Sequence, residues 1–415
     1  MVDTDRELES LIAGAADPRY IDVDDTGAII LGAVAVADTP EHAFDDVDVM
    51  LSAIQAAHTV CWCTCDAVRL RGSAASAREG ETMRALLIVV VIAVASGTVG
   101  SGQSKDGRCE RDCLIGIAEQ YLDALAAKDS KRLPLAGSPR YTENGQRLRL
   151  TDGLWNSISA RGSYKLHVAD QVDGQIVTFS TMRENNVPII LAVRLKVQKE
   201  RITEIETIVA RSENGAKALE AMGKPREAFE RLTPINERMT RPDLIRTANM
   251  YFTGMQLNDG KGQYPFADDC HRIENGGDST NAAGRAGQPR PDPKTATGYS
   301  AMWSCREQFE SGLLHFVSRI RDRRYVAVDH ERGLVVAFVF FDHDAGASRT
   351  FKTPAGREVT AGPAQLWTWM IAELFKVERN ELHEIEAILE RVPYGMGSGW
   401  SSWEDSMSDK IQWPR

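Results

Sequence analysis

The chain has 415 residues, with 49 basic and 59 acidic side chains, a net charge of −10, 43% apolar residues and 26% charged ones. That balance is ordinary for a globular protein and excludes collagen-like, low-complexity and wholly disordered chains. The acid excess argues against a nucleic-acid surface, which needs a basic face to release counterions, and the length suggests two or three domains.

Residues 1–82 read as a poorly structured leader lying before the true start of translation. They are acidic early (Asp22, Asp24, Asp25, then Asp45, Asp46, Asp48) and then carry Cys61-Trp62-Cys63-Thr64-Cys65. A C-x-C-x-C cluster with no second ligand pair is weak evidence for a soft metal, so no metal site is assigned. Residues 83–100 read as a signal peptide. Met83-Arg84 gives a positive start, Ala85–Ala95 an apolar core too short to span a bilayer, and Ala93-Val94-Ala95 a small-residue cleavage site. A buried helix or strand is the rival reading of that run. Cleavage near Ala95 leaves about 320 residues and four cysteines, Cys109, Cys113, Cys270 and Cys305. An even count in an exported chain fits two disulfides. Cys270–Cys305 with a local Cys109–Cys113 loop is the favoured pairing of three, and free buried thiols are the alternative.

The remainder repeats itself. Leu114-Ile115 … Ala118 … Tyr121 … Asp129 falls on Leu244-Ile245 … Ala248 … Tyr251 … Asp259 at a shift of 130, and Glu143-Asn144-Gly145 on Glu274-Asn275-Gly276 at 131. Asp170 … Gly174 … Val177 … Phe179 matches Asp329 … Gly333 … Val336 … Phe338 at 159, and 190–211 matches 370–391 at 180 with eight identities in 22 positions. The growing offset predicts insertions in the second copy, at 278–299 and 343–363, both rich in turn-forming residues. The organisation predicted is a first repeat over 109–213, a helical linker over 214–240, a second repeat over 241–395 and a tail over 396–415. Each copy starts with an amphipathic helix. Each ends in a hairpin of long strands, Val187–Val197 with Ile202–Val209 and Trp369–Val377 with Leu382–Leu389. Helices followed by runs of antiparallel strands predict an α+β fold. A sheet curled on a helix leaves a cavity at its open end. Phe309–Ile320 is predicted helical, and Arg319–Arg324 a solvated helix end.

This order resembles the nuclear-transport-factor-2-like (NTF2-like; SnoaL-like, cystatin-like) superfamily. The finer string is Cys109-x3-Cys113, Arg132-Leu133-Pro134-Leu135, Tyr141–Gly145, Asp152-Gly153-Leu154-Trp155, Cys270–Gly276, Gln308–Gly312, Arg319–Arg324 and Val392–Trp400. It is similar to an exported bacterial and fungal family of unassigned function (DUF8021-like) over residues 109–403. The resemblance implies two tandem NTF2-like cones forming an intrachain pseudo-dimer, in a secreted or periplasmic protein. It leaves chemistry open, because this fold hosts both enzymes and pure binding modules.

Enzymes of that fold use a carboxylate or His in an apolar cone to move a proton, without cofactor or metal. Strand alternation in Asp268–Asn275 puts His271 and Asn275 on one face, as base and donor, and Cys270, Arg272 and Glu274 on the other. Arg272 with Glu274 reads equally as a structural ion pair, and Glu-Asn-Gly as a turn. Asp342 and His343 end an apolar strand and form a second candidate pair, with a solvated turn as the plain alternative. Tyr121, Tyr251 and Trp400 are candidate ligand contacts, the tyrosines otherwise core and Trp400 otherwise tail packing. His383 is expected outside, and His315 on a helix. No P-loop, dinucleotide fingerprint, G-x-S-x-G, H-E-x-x-H or zinc pair occurs in the mature region. The reading is an exported cofactor-free lyase or isomerase acting on a small apolar hydroxylated or keto compound. The alternative is a non-catalytic binding module or interaction scaffold. The partners implied are that small apolar molecule and a second copy of the chain, with no nucleic acid and no stable membrane span.

Overall fold

The computed structural model describes residues 108–414, all within one compact unit spanning Ser96–Arg415. The leader, its cysteine cluster and the expected signal segment lie outside the described residues.

Helix α1 (Arg111–Ala126) opens the first half, burying Leu114, Ile117, Ala118, Tyr121, Leu122 and Leu125 at helical spacing. It is followed by β1 (Leu135–Glu143), β2 (Gln146–Leu148) and the one-turn α2 (Leu154–Ser157). Four long strands come next: β3 (Ile158–Asp170), β4 (Gln175–Glu184), β5 (Val187–Gln198) and β6 (Arg201–Ala210). The linker carries α3 (Glu213–Met222) and α4 (Glu227–Glu230). The second half begins with α5 (Arg241–Leu257), capped where the Thr240 hydroxyl accepts from the Asp243 amide. Then come β7 (Phe266–Glu274), β8 (Gly277–Asp278), α6 (Cys305–Glu310), β9 (Arg319–Asp329) and β10 (Leu334–His343). A small hairpin, β11 (Thr350–Lys352) and β12 (Glu358–Thr360), precedes β13 (Trp367–Glu378) and β14 (Glu381–Val392). The tail holds α7 (Trp403–Ser406) and β15 (Ile411–Gln412).

The fold is α+β, with two large curved sheets and few helices. The first sheet runs β2-β1-β6-β5-β4-β3 and the second β8-β7-β14-β13-β10-β9-β15. Apart from β15 the two orders correspond strand for strand. In each, the first long strand pairs parallel to the last one. The pairing register carries the sequence offsets. Val193 on β5 lies opposite Thr178 and Thr207, and Glu373 on β13 lies opposite Ala337 and Ala387. Both Glu-Asn-Gly elements make the tight turn after their strand, with Asn144 and Asn275 at φ +44 and glycines at +76 and +79. Asn-Gly is the pair that tolerates two successive positive φ values at least cost.

Strand alternation sorts the apolar residues into layers. On β10, Val335, Ala337, Val339 and Phe341 face α5, whereas Leu334, Val336, Phe338 and Phe340 join the core between the two sheets. On β5, Leu191, Val193 and Leu195 face α1, whereas Ile190 and Ala192 join the same central core. The order is therefore helix, sheet, sheet, helix. Buried polar bonds cross the central layer in both directions. Arg324 donates to Glu206 at 2.5 and 3.0 Å, and the Tyr164 hydroxyl meets Glu386 at 2.7 and 2.9 Å.

Three sequence expectations need correction. α6 stops at Glu310, so His315 lies in a turn and not on a helix. Arg319–Arg324 is not a solvated helix end but the start of β9, with Arg321 and Arg323 fully buried. The strand tolerates these cations because each finds partners: Arg321 the Asp342 carboxylate, Arg323 the Thr253 hydroxyl, Arg324 Glu206. His383, expected outside, is buried, and its Nδ1 meets Asp269 at 2.7 Å. Two disulfides form, Cys109–Cys113 at the start of α1 and Cys270–Cys305 joining β7 to α6. No helix among the described residues is long and apolar enough to cross a membrane.

Candidate functional site

The second half keeps a cavity of about 80 Å³ between α5 and the inner face of its sheet. Its polar lining consists of Arg272 and Glu274 from β7, His343 from β10 and Glu373 from β13. Glu373 has small neighbours on both sides, Ala337 and Ala387, so the carboxyl group has room beside it. The residue is 2% exposed, and its Oε2 has no hydrogen-bond partner. Burial raises its pKa to about 8, with Glu274 adding to the rise and Arg272 opposing it. A carboxylic acid in this setting holds its proton at neutral pH.

Arg272 is the fixed charge of the site. Its Nε donates to Ser279 Oγ, its Nη1 to the Tyr251 hydroxyl and its Nη2 to Gln308 Oε1, each at 2.8 Å. Glu274 Oε1 lies 3.2 Å from Nε. These partners come from α5, from the turn after β8 and from α6. The Cys270–Cys305 bond ties α6 to the same strand two residues before Arg272. Burial pushes the Tyr251 phenol well above its usual range, so it remains a donor.

His343 is 3% exposed. It stacks on Trp367 at 4.3 Å and 12° between planes and lies 5.9 Å from Phe316, centroid to centroid. Its Nδ1 has no partner. Burial lowers its pKa to about 4, so the ring is neutral at ordinary pH. The cavity thus presents a protonated acid and a neutral imidazole on one lining, the opposite pushes on two groups that acid–base chemistry uses.

Of the residues expected from sequence, Arg272, Glu274, Tyr251 and His343 converge here. The others do not. His271 lies on the opposite face of β7, where Arg226 Nη2 is 3.3 Å and Asp278 3.3 Å from its Nε2. Asn275 does not share a cavity with it. Its amide clips β14, donating to Leu389 O at 2.9 Å and accepting from Leu389 N at 3.0 Å. Asn144 does the same to Val209 in the first half. Asp342 and His343 are not a pair, because adjacent strand residues point to opposite faces. Asp342 faces the central layer, is fully buried, and accepts from Arg319, Arg321 and Thr368. Burial alone would raise its pKa, but these donors hold it below the usual value. Tyr121 sits in the first core, edge-on to Trp155 at 5.9 Å. Trp400 covers the first sheet instead of the cavity, sandwiched by Arg140 at 4.2 Å and Arg194 at 4.5 Å, with its indole N–H on Thr142.

Glu373 is the site residue that sequence reasoning missed. The signal was a lone acid inside the apolar strand Trp369–Val377, at the position where the first copy has Val193. Among the described residues no group of three His, Cys, Asp or Glu side chains could hold a metal ion.

A family model described as Domain of unknown function (DUF8021) matches residues 237–389. The match runs from just before α5 to within β14, and every residue lining the cavity falls inside it. No curated protein matches the chain.

Proposed function

We propose that the chain is an exported protein of two tandem NTF2-like repeats forming an intrachain pseudo-dimer, and that the second repeat is a cofactor-free acid–base catalyst of the lyase or isomerase kind. The observation that carries this reading is Glu373, a fully buried carboxyl group with an unpartnered oxygen in a cavity that also holds Arg272 and His343, with the Tyr251 hydroxyl bonded to Arg272 at 2.8 Å. Glu373 donates or shuttles the proton, neutral His343 accepts one, and the Arg272–Tyr251 pair stabilises the oxyanion. The substrate is a small, largely apolar hydroxylated or keto compound. Two disulfides among the described residues support export, since such bonds persist in oxidising compartments.

A binding-module or scaffold role is the second reading for the first repeat, whose cone is filled by Tyr121, Trp155, Met182 and Val193. The test is turnover by the full chain on a panel of hydroxy-ketones and aryl ethers, with Glu373→Gln and His343→Ala beside the parent. Glu373→Gln is expected to lose about 100-fold or more in kcat. The parent's rate falls above pH 8 as Glu373 ionises and below pH 4 as His343 charges. Unchanged rates in both variants remove the site; no turnover by the parent removes the enzyme reading.

A further inference from the structure

The cavity is chemically lopsided. Its inner end is polar and closed, with Glu373 almost wholly buried. Its outer end is aromatic: Phe316 and Trp369 are partly exposed and Tyr299 is 47% exposed. The rings already form a chain around the mouth. Tyr299 and Phe316 are 6.3 Å apart, Phe316 and His343 5.9 Å, and Trp367 meets Trp369 edge-on at 4.4 Å. Tyr299 closes the inserted 278–299 segment and Phe316 follows α6. Both lie in stretches where the second half is longer than the first, so the additional chain brings rings to this mouth.

We propose that this cavity takes one aromatic ring bearing a single hydroxyl or carbonyl group, the ring held at the mouth by Phe316, Tyr299 and Trp369 and the oxygen placed against Glu373. This deepens, and rests on, the reading of the cavity as the functional site. Aromatic walls favour a planar ring over an aliphatic one of equal size, because offset and edge-on contacts add to the burial of apolar area. The volume of about 80 Å³ suits a single ring rather than a fused system. The polar end follows from two buried atoms without partners, Glu373 Oε2 and His343 Nδ1, since an unmet buried polar atom is costly and a hydroxyl can serve either one. A ligand with two charged groups would find only one buried cation on this lining, Arg272, three of whose five N–H donors are already used.

Isothermal titration calorimetry of the full chain with phenol and with cyclohexanol, nearly equal in size and differing in planarity, tests the assignment. Phenol is expected to bind about tenfold or more tightly than cyclohexanol. Phe316→Ala, at a partly exposed position, is expected to remove the preference without lowering the melting temperature appreciably, and Trp369→Leu gives a second rim variant if it does. Glu373→Gln is expected to weaken phenol and leave benzene unchanged. Equal affinities for phenol and cyclohexanol overturn the ligand class, even if an aliphatic hydroxy-ketone is turned over. A phenol preference that the rim variants abolish upholds it, even if nothing is turned over and the catalytic reading falls.

Discussion

The two halves share a strand order and a pairing register, yet they differ in what their inner faces carry. The contrast is sharpest at equivalent positions. Where the first sheet packs Val193 between Thr178 and Thr207, the second sets Glu373 between Ala337 and Ala387. Where the first has Tyr141, hydrogen-bonded to Glu143 at 2.8 Å, the second has Arg272 beside Glu274. The first half leaves neutral polar atoms unpartnered in its core, Tyr121 Oη and Trp155 Nε1, while its inner-face imidazole is satisfied: His167 meets Thr178 at 2.8 Å and Glu119 at 2.8 Å. The second half leaves Glu373 Oε2 and His343 Nδ1 open, on a carboxyl group and an imidazole. Two sheets of the same strand order thus carry different groups at equivalent inner positions, a valine and a tyrosine in one and a glutamate and an arginine in the other.

The comparison breaks most visibly by transplanting the acid. Val193→Glu places a carboxyl group where α1 packs and no buried arginine faces it. The cost is expected at about 4 kcal/mol or more at pH 8, read by urea denaturation, because an unpaired buried charge is not repaid. A cost below about 1 kcal/mol would mean that the inner face of the first sheet is as accommodating as that of the second.

A somewhat smaller effect is the pH dependence that Glu373 imposes. Its pKa is 4.5 by type and about 8 in the fold. The folded chain therefore holds this proton more tightly than the unfolded chain, and stability falls as pH rises from about 4.5 through 8. Glu373→Gln cannot ionise, so its melting temperature is expected to stay level across that window while the parent's declines. His343 acts on the other side. Its folded pKa of about 4 lies below the usual 6.5, so its contribution is complete above pH 6.5 and lost as pH falls toward 4. Parallel curves for parent and Glu373→Gln would show that the carboxyl group is not shielded from water.

Much of this architecture was legible in the chain itself. Offsets of 131, 159 and 180 in the sequence reappear in the strand register, because paired strands must keep their inward and outward faces aligned. The hairpins and the Asn-Gly turns were readable for the same local reason. What escaped were properties of burial. Arg319–Arg324 carries enough charge to suggest a surface, and only partners distant in sequence, the carboxylates of Asp342 and Glu206 and the polar side chains of α5, explain why it lies inside. Asp342 and His343 are neighbours in sequence, and strand alternation sends one to the central layer and the other to the cavity. Of the residues that did converge, Arg272 and Glu274 are alternate neighbours on β7, readable as one face, whereas Tyr251 comes from α5 and His343 from β10, and nothing local links those two to the strand. Glu373 was marked only by its apolar surroundings, a signal that gains weight once the equivalent position is seen to be valine.

The smallest expected difference concerns the disulfides, one per half. Cys109–Cys113 closes a loop of 4 residues and Cys270–Cys305 one of 35. Loop-closure entropy alone assigns them about 2 and about 4 kcal/mol, so replacing each pair by serine should lower the denaturation midpoint about twice as far for the second. The second bond has another consequence. It holds α6, and with it Gln308, against Arg272, and Arg272, with Tyr251, opposes the rise in the Glu373 pKa. Loosening α6 weakens that opposition, so the alkaline limb of the stability curve should move to higher pH in the Cys270/Cys305 variant and stay in place in the Cys109/Cys113 one. Equal shifts in both would mean that the bond acts on the unfolded chain alone and that Arg272 needs no tether from α6.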